Sequence, residues 1–385
     1  EVIIVTTLPE RLLGLGEIRR YEARGLPVVA IGRTTASTTD AAYHQPALGR
    51  RMRQILQMVR PDVVHFHAVQ GLGVESVRAS QTIGLPTVIT LHDAWWLCER
   101  QFMIRATGEW CGQTAIDPDT CATCVADSHQ HRSRQQESLE ILNAADRVLT
   151  PSDYWRLVMA GSGVANRVLR KNPNGVIHPS GSVPRQRTSK GPITFGYVGG
   201  GDAVKGAHQL RAALRELGGG DYRVRLVDAS TSLKLGGMDP QMWNFPGVQI
   251  DPAYSAETMD AFFDSIDVLL FPSQTRESYG LTVREAVLRG VWVVATEGGG
   301  TADILTEGVN ATLIPMDGTH DALTAAMRAI ISDSDLYRSQ ADPRSSIPTF
   351  EDQALSLSAV YREVIAEKRP TVPEPRVSGY SSSPA

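Results

Sequence analysis

The chain has 385 residues, 42% hydrophobic and 21% charged, which is ordinary globular usage; it excludes wholesale disorder and, at ~150 residues per domain, calls for two or three domains. With 38 basic against 42 acidic residues the net charge is −4, which argues against a protein that coats nucleic acid. No apolar run approaches the ~18 residues of a membrane helix, and no charged start leads into an apolar signal core, so a cytoplasmic protein with at most peripheral membrane contact is expected.

Short β-branched runs recur at 1–6, 27–31, 62–66, 86–91 and 146–150, then at 193–198, 222–228, 248–250, 267–271, 291–296 and 311–314. Nearly continuous apolar strands that alternate with helical patterns predict parallel sheets buried on both faces. So many strands predict two sheets. The stretch 172–192, rich in Pro, Gly, Ser and Thr, reads as their joint. That gives a first Rossmann-like domain over 1–175 and a second over 176–348. Phe350, Ala354, Leu357, Tyr361 and Val364 then alternate spacings of four and three, the stripe of one amphipathic helix over 349–368. The Pro- and Ser-rich end, 369–385, is expected to stay disordered. In doubly wound folds ligands sit at the carboxyl ends of strands, so the cleft between the domains is the expected site.

Three turns carry chemistry. The run at 193–198 leads into Gly199-Gly200-Gly201-Asp202-Ala203-Val204-Lys205-Gly206 and then a helical pattern. Glycines let the backbone approach an anion, a helix start offers unpaired N–H groups, and Lys205 adds a point charge. The spacing matches neither the dinucleotide fingerprint nor a Walker loop, and a plain glycine-rich turn accounts for it equally. After 267–271, Glu277 sits in a loop and Glu285 about one turn into the next helix. A carboxylate there suits the vicinal hydroxyls of a sugar or ribose. The plainer alternative is that Glu285 complements the helix start and Glu277 is solvated. After 291–296 comes Glu297-Gly298-Gly299-Gly300-Thr301, a second anion-friendly turn with Thr301 as the expected N-cap.

As an ordered set these motifs resemble retaining glycosyltransferases of family 4. The first half agrees through Pro61-Asp62-Val63-Val64-His65-Phe66-His67, Thr90-Leu91-His92-Asp93, Leu149-Thr150-Pro151-Ser152 and Asn174-Gly175. The resemblance implies the GT-B architecture, two facing Rossmann-like domains with the last helix crossing back to the first. It implies that Gly199, Gly200, Lys205 and Gly206 hold the pyrophosphate of a UDP- or GDP-sugar. Glu285 would bind the ribose, Gly299, Gly300 and Thr301 would complete the donor side, and Glu277 would contact the transferred sugar. His92 would approach that sugar from the first domain, with His67 and Asp93 on the acceptor side. No divalent metal is implied for catalysis, and retention would follow front-face displacement onto a glycan or lipid-linked acceptor.

Three departures stand out. Gly200 and Gly201 occupy the place where the family often has an arginine, and Asp303 replaces a glutamate. The family begins with a further βα unit of roughly 30 residues, so the supplied chain is expected to be N-terminally truncated. An inactive glycosyltransferase-like binding subunit and a GT-B sugar-nucleotide epimerase are the rival functions.

The four cysteines, Cys98, Cys111, Cys121 and Cys124, all fall within a 98–124 insertion. Clustered thiols in a chain without signs of secretion predict one structural zinc, with free thiols or a local disulfide as alternatives. His65 and His67 share a strand face and are expected to hydrogen bond in the cleft or core. Adjacent Trp95 and Trp96 are expected to pack, and Arg50, Arg51, Arg53 and Arg60 to form a solvated face.

Overall fold

The computed structural model describes residues 1–34, 42–179, 191–228, 237–337 and 346–368; most of the expected joint and the expected disordered end lie outside them. The chain opens with β1 (Ile4–Pro9), β2 (Ile18–Ala23) and β3 (Leu26–Arg33). β1 pairs parallel with β3, and β2 pairs antiparallel with it. β2 is absent from the sequence expectation because its residues, Ile-Arg-Arg-Tyr-Glu-Ala, are almost all exposed and carry no apolar run. The hairpin turn is Arg24-Gly25, with φ of 51° and 76°. Positive φ at both central residues matches the right-handed twist of the strands it joins.

Next come α1 (Pro46–Val59), β4 (Val64–Phe66), α2 (Val74–Thr82), β5 (Thr87–Thr90), α3 (Pro118–Cys121), α4 (Ser128–Asn143), β6 (Arg147–Thr150), α5 (Asp153–Gly161) and β7 (Leu169–Lys171). β4 to β7 form a parallel sheet in sequential order. The first half therefore carries two sheets where one was expected. β7, three residues with two exposed, was too short to read. Trp95 and Trp96 are buried in the first core, with the Arg134 guanidinium 4.8 Å from the Trp95 ring, so neither offers a stacking face. Arg51 donates to the Gly16 carbonyl at 2.7 Å, while Arg50, Arg53 and Arg60 are exposed.

The second half is β8 (Ile193–Val198), α6 (Ala207–Leu217), β9 (Tyr222–Asp228), β10 (Val248–Pro252), α7 (Met259–Asp264), β11 (Val268–Phe271), α8 (Leu281–Leu288), β12 (Trp292–Thr296), β13 (Ala311–Ile314) and α9 (Asp321–Ser332). Its six strands are all parallel in the order β10-β9-β8-β11-β12-β13. The direction of winding reverses between β8 and β11. Loops leaving adjacent strands at such a point splay apart and open a crevice, and these are the loops that carry Lys205 and Glu277.

The last helix, α10 (Phe350–Lys368), returns to the first half. Leu357, Val360, Tyr361 and Val364 pack on Val88 and Leu149, and Arg147 is paired with Glu363 and Glu367. Beside it the two crossing segments run together, with the Val176 N–H donating to the Pro348 carbonyl at 3.0 Å. The expected stripe is right only in its second half: Leu357, Tyr361 and Val364 face the first domain, whereas Phe350 and Ala354 are exposed.

Candidate active site

Lys205 ends a single 3-10 turn, Ala203–Lys205, whose N-cap Asp202 accepts from the Val204 N–H at 2.9 Å. Gly206 follows with φ of 83°, and a Cβ there would lie 2.0 Å from the Pro272 carbonyl oxygen, so only glycine lets the two loops touch. The contact delivers Lys205 to its partner. Its Nζ donates to Glu277 Oε1 at 2.7 Å, and Ser273 Oγ donates to the same oxygen at 2.9 Å. Gly199 and Gly200 line the start of this loop, and the Gly200 N–H donates to the Val227 carbonyl at 3.3 Å.

The second glycine turn closes on the same place. The Gly300 N–H donates to the Glu277 carbonyl at 2.7 Å, and Gly299 packs against the Glu277 main chain. Thr301 is not the N-cap. Gly298 is, and the Thr301 hydroxyl, inside the 3-10 turn Gly299–Asp303, donates back to the Gly298 carbonyl at 3.0 Å. Buried Arg284 on α8 staples the two loops: it donates to the Tyr279 carbonyl and, at 3.0 Å, to that of Gly300, with its guanidinium 3.5 Å above the Tyr279 ring. Asp303 Oδ2 is 3.9 Å from Arg284, so this shorter acid serves the staple. Burial lifts its carboxyl above the ordinary range against the pull of that arginine.

Glu285, one residue after Arg284, faces the other way. It accepts from the Tyr254 hydroxyl at 2.8 Å and lines a cavity of about 300 Å³ together with His92, Asn174, Gly175 and Phe350. Both halves of the chain contribute to that cavity. Burial raises the Glu285 carboxyl, opposed by Tyr254 and Arg289.

From the first half come three histidines. His65 bridges Thr90 Oγ1 and the Tyr361 hydroxyl, both at 2.7 Å, and its ring lies 4.1 Å from that of His67. His67 Nδ1 is 3.1 Å from His92 Nε2, and the two rings stack at 5.4 Å. Burial depresses all three; His65, also facing His67 and His92, falls to about 3. His65 is therefore neutral at ordinary pH. Asp93 uses both oxygens on its own loop, accepting from the Trp95 N–H at 2.8 Å and from Gln101 Nε2 at 2.7 Å. None of the four cysteines is in a disulfide, and Cys98 and Cys121 are buried.

The 272–280 loop also grips the first domain. Ser278 Oγ donates to the His92 carbonyl at 2.6 Å, the Ser278 carbonyl accepts from Ser152 Oγ at 2.6 Å, and the Tyr279 hydroxyl donates to the Asn174 carbonyl at 2.6 Å. Thr275 Oγ1 donates to the Phe102 carbonyl at 2.8 Å, and the Arg276 guanidinium lies 4.6 Å from the Trp110 ring. Ser278, Tyr279, Arg284 and Tyr361 were not among the expected site residues. Arg284 had a readable signal, a lone cation within an apolar helical run.

Residues 1–178 match Glycosyltransferase Family 4, and residues 182–343 match the family described as Glycosyl transferases group 1. The chain belongs to glycosyltransferase family 4. This glycosyltransferase is 26% identical over 307 residues to a GDP-mannose-dependent alpha-mannosyltransferase of Mycolicibacterium smegmatis, covering 74% of this chain and 69% of that one. Its fold is that of sucrose-phosphate synthase from Thermosynechococcus elongatus, with a TM-score of 0.64 at 17% identity over 91% of this chain and 86% of that one. HepE of Anabaena, in complex with UDP and glucose, aligns with a TM-score of 0.57 at 18% identity over 89% of this chain and 86% of that one. The GT-B architecture is thus the fold of the chain. Among the described residues no helix is long and apolar enough to cross a membrane.

Proposed function

We propose that this glycosyltransferase moves a hexosyl group, with retention, from a UDP- or GDP-sugar to a glycan or lipid-linked acceptor at the cytoplasmic side of a membrane. The observation that carries the proposal is the Lys205–Glu277 contact at 2.7 Å, made where two glycine turns meet. Lys205 keeps further N–H donors for a diphosphate, and the leaving group needs such a charge as its bond to the sugar breaks. Glu277 stands beside it to accept from the hydroxyls of the transferred sugar. Glu285, in the cavity shared with His92, receives the ribose diol. The relatives named above, one dependent on GDP-mannose and one holding UDP, support a nucleoside diphosphate donor.

Retention without a dedicated base fits Asp93, each of whose carboxylate oxygens accepts a hydrogen bond within its own loop. In that scheme a donor phosphate oxygen takes the acceptor proton, the new glycosidic bond forms on the face the nucleotide leaves, and no catalytic divalent metal takes part. His92 offers a hydrogen bond to the sugar. The test is calorimetric titration with UDP and GDP, followed by NMR of the product anomer. No binding of either nucleotide would overturn the proposal, and an inverted anomer would overturn retention.

A further inference from the structure

We propose that Cys98, Cys111, Cys121 and Cys124 hold one structural Zn2+, and that this ion shapes the part of the first domain gripping the 272–280 loop. None of the four thiols is in a disulfide. They come together from separate turns of the insertion: Gln113 Nε2 reaches both Cys111 and Cys121, Gln135 Nε2 links Cys121 to the Leu97 carbonyl beside Cys98, and the Cys124 N–H donates to the Cys121 carbonyl at 2.8 Å.

Burial and the neighbouring sulfurs disfavour free thiolates at Cys98 and Cys121, so ionised sulfur there needs a compensating cation, and amide donors already face two of the four. The Gln113 amide nitrogen lies 3.7 Å from Cys111 Sγ and 3.6 Å from Cys121 Sγ, and the Gln135 amide nitrogen lies 3.9 Å from Cys121 Sγ. A neutral thiol is a weak acceptor, whereas a metal-bound thiolate takes such donors as its supporting shell. The Gln113 amide, with its partial positive charge between two sulfurs from different segments, stands where a cation would compensate both. No three of the sulfurs lie within 4.8 Å of one another. Zinc at ~2.3 Å from each sulfur would draw them to ~3.8 Å apart, with the Gln113 amide moving outward. Coordination ionises the thiols, releases their protons to solvent and replaces thiolate repulsion by attraction to one dication.

Met103, Ile116 and Cys121 anchor the insertion in the first core, but its strand-like pairing is one isolated bridge, Ile104 to Trp110. Yet Phe102 and Trp110 both contact the 272–280 loop, and they adjoin the sulfur cluster: Cys111 follows Trp110, and its N–H donates to the Met103 carbonyl at 2.9 Å. This consequence rests on the proposed function of that loop, whereas the metal assignment does not.

The full chain, purified without chelator, is analysed for zinc by mass spectrometry and for thiols by a chromogenic disulfide reagent, native and denatured. Equimolar zinc is expected, with thiols that react only after denaturation, and Cys121→Ser with Cys124→Ser should lose the metal. Sub-stoichiometric zinc with freely titrating native thiols would overturn the proposal. So would an intact mass lighter by the two hydrogens of a disulfide. Nucleotide titration of the same sample separates the outcomes, since zinc content does not depend on whether UDP or GDP binds.

Discussion

Ser278 donates its hydroxyl to the main-chain carbonyl of His92, 2.6 Å away across the two domains. Because Glu277 is the adjacent residue, the bond that draws the domains together also sets the carboxylate against the cleft. Ser278→Ala removes one neutral hydrogen bond, worth ~1 kcal/mol, or about fivefold. Turnover should fall by about that factor while nucleotide affinity, measured by calorimetry on the same protein, stays unchanged.

Lys205 and Glu277 should separate under substitution. Lys205→Ala removes a charge-assisted donor worth ~1.5–3 kcal/mol, so UDP or GDP affinity should drop at least tenfold. Glu277→Gln keeps the shape and spares Lys205, so nucleotide binding should persist while transfer is largely lost. Calorimetry and a transfer assay on both variants read the split directly.

Glu285 should leave a signature in pH. Burial holds its folded pKa above the unfolded 4.5, so the native state binds the proton more tightly than the unfolded chain. Its stability cost is absent well below 4.5, grows as pH rises from there, and is complete once pH passes the raised folded value. Glu285→Gln should therefore melt progressively higher than the parent between pH 4 and pH 7, as read by scanning calorimetry. Ribose binding needs the ionised form, so nucleotide affinity of the parent should weaken on acidification and that of the variant should not.

The histidine stack predicts the opposite slope. With His65 held at about 3 against 6.5 unfolded, its stabilising contribution is full above 6.5 and is lost as pH falls toward 3. His65→Gln should make the decline in urea midpoint between pH 7 and pH 4.5 shallower. It should not abolish the decline, because buried His131, pushed down to about 4, acts in the same direction.

Gly300→Ala should be disproportionately damaging for one methyl group. Its Cβ would fall 2.2 Å from the Ser278 carbonyl oxygen, and relief requires the 272–280 loop to move. Transfer should fall by more than tenfold, because the displaced loop carries Glu277.

The strand-to-helix turns around Lys205, Glu277 and Glu285 were legible because chemistry at a strand end needs particular side chains at particular spacings. β2 was not, since an exposed polar strand has no apolar period and only the Arg24-Gly25 turn marks it. Tyr361 was read as one member of an apolar stripe; its hydroxyl bond to His65 spans 296 positions and leaves no local trace. The clasp was hidden for another reason. Its acceptors on the first domain are largely peptide carbonyls, which every sequence supplies.

That last feature bears on how such a protein can diversify. The carbonyls of His92, Phe102 and Asn174 receive hydroxyls from Ser278, Thr275 and Tyr279, so in these three bonds the side chain is supplied by the second half. These three bonds ask for no particular side chain at the accepting positions, provided the main chain keeps its path. A lineage could thus retool what it glycosylates, residue by residue, and never have to reinvent the handshake between its halves.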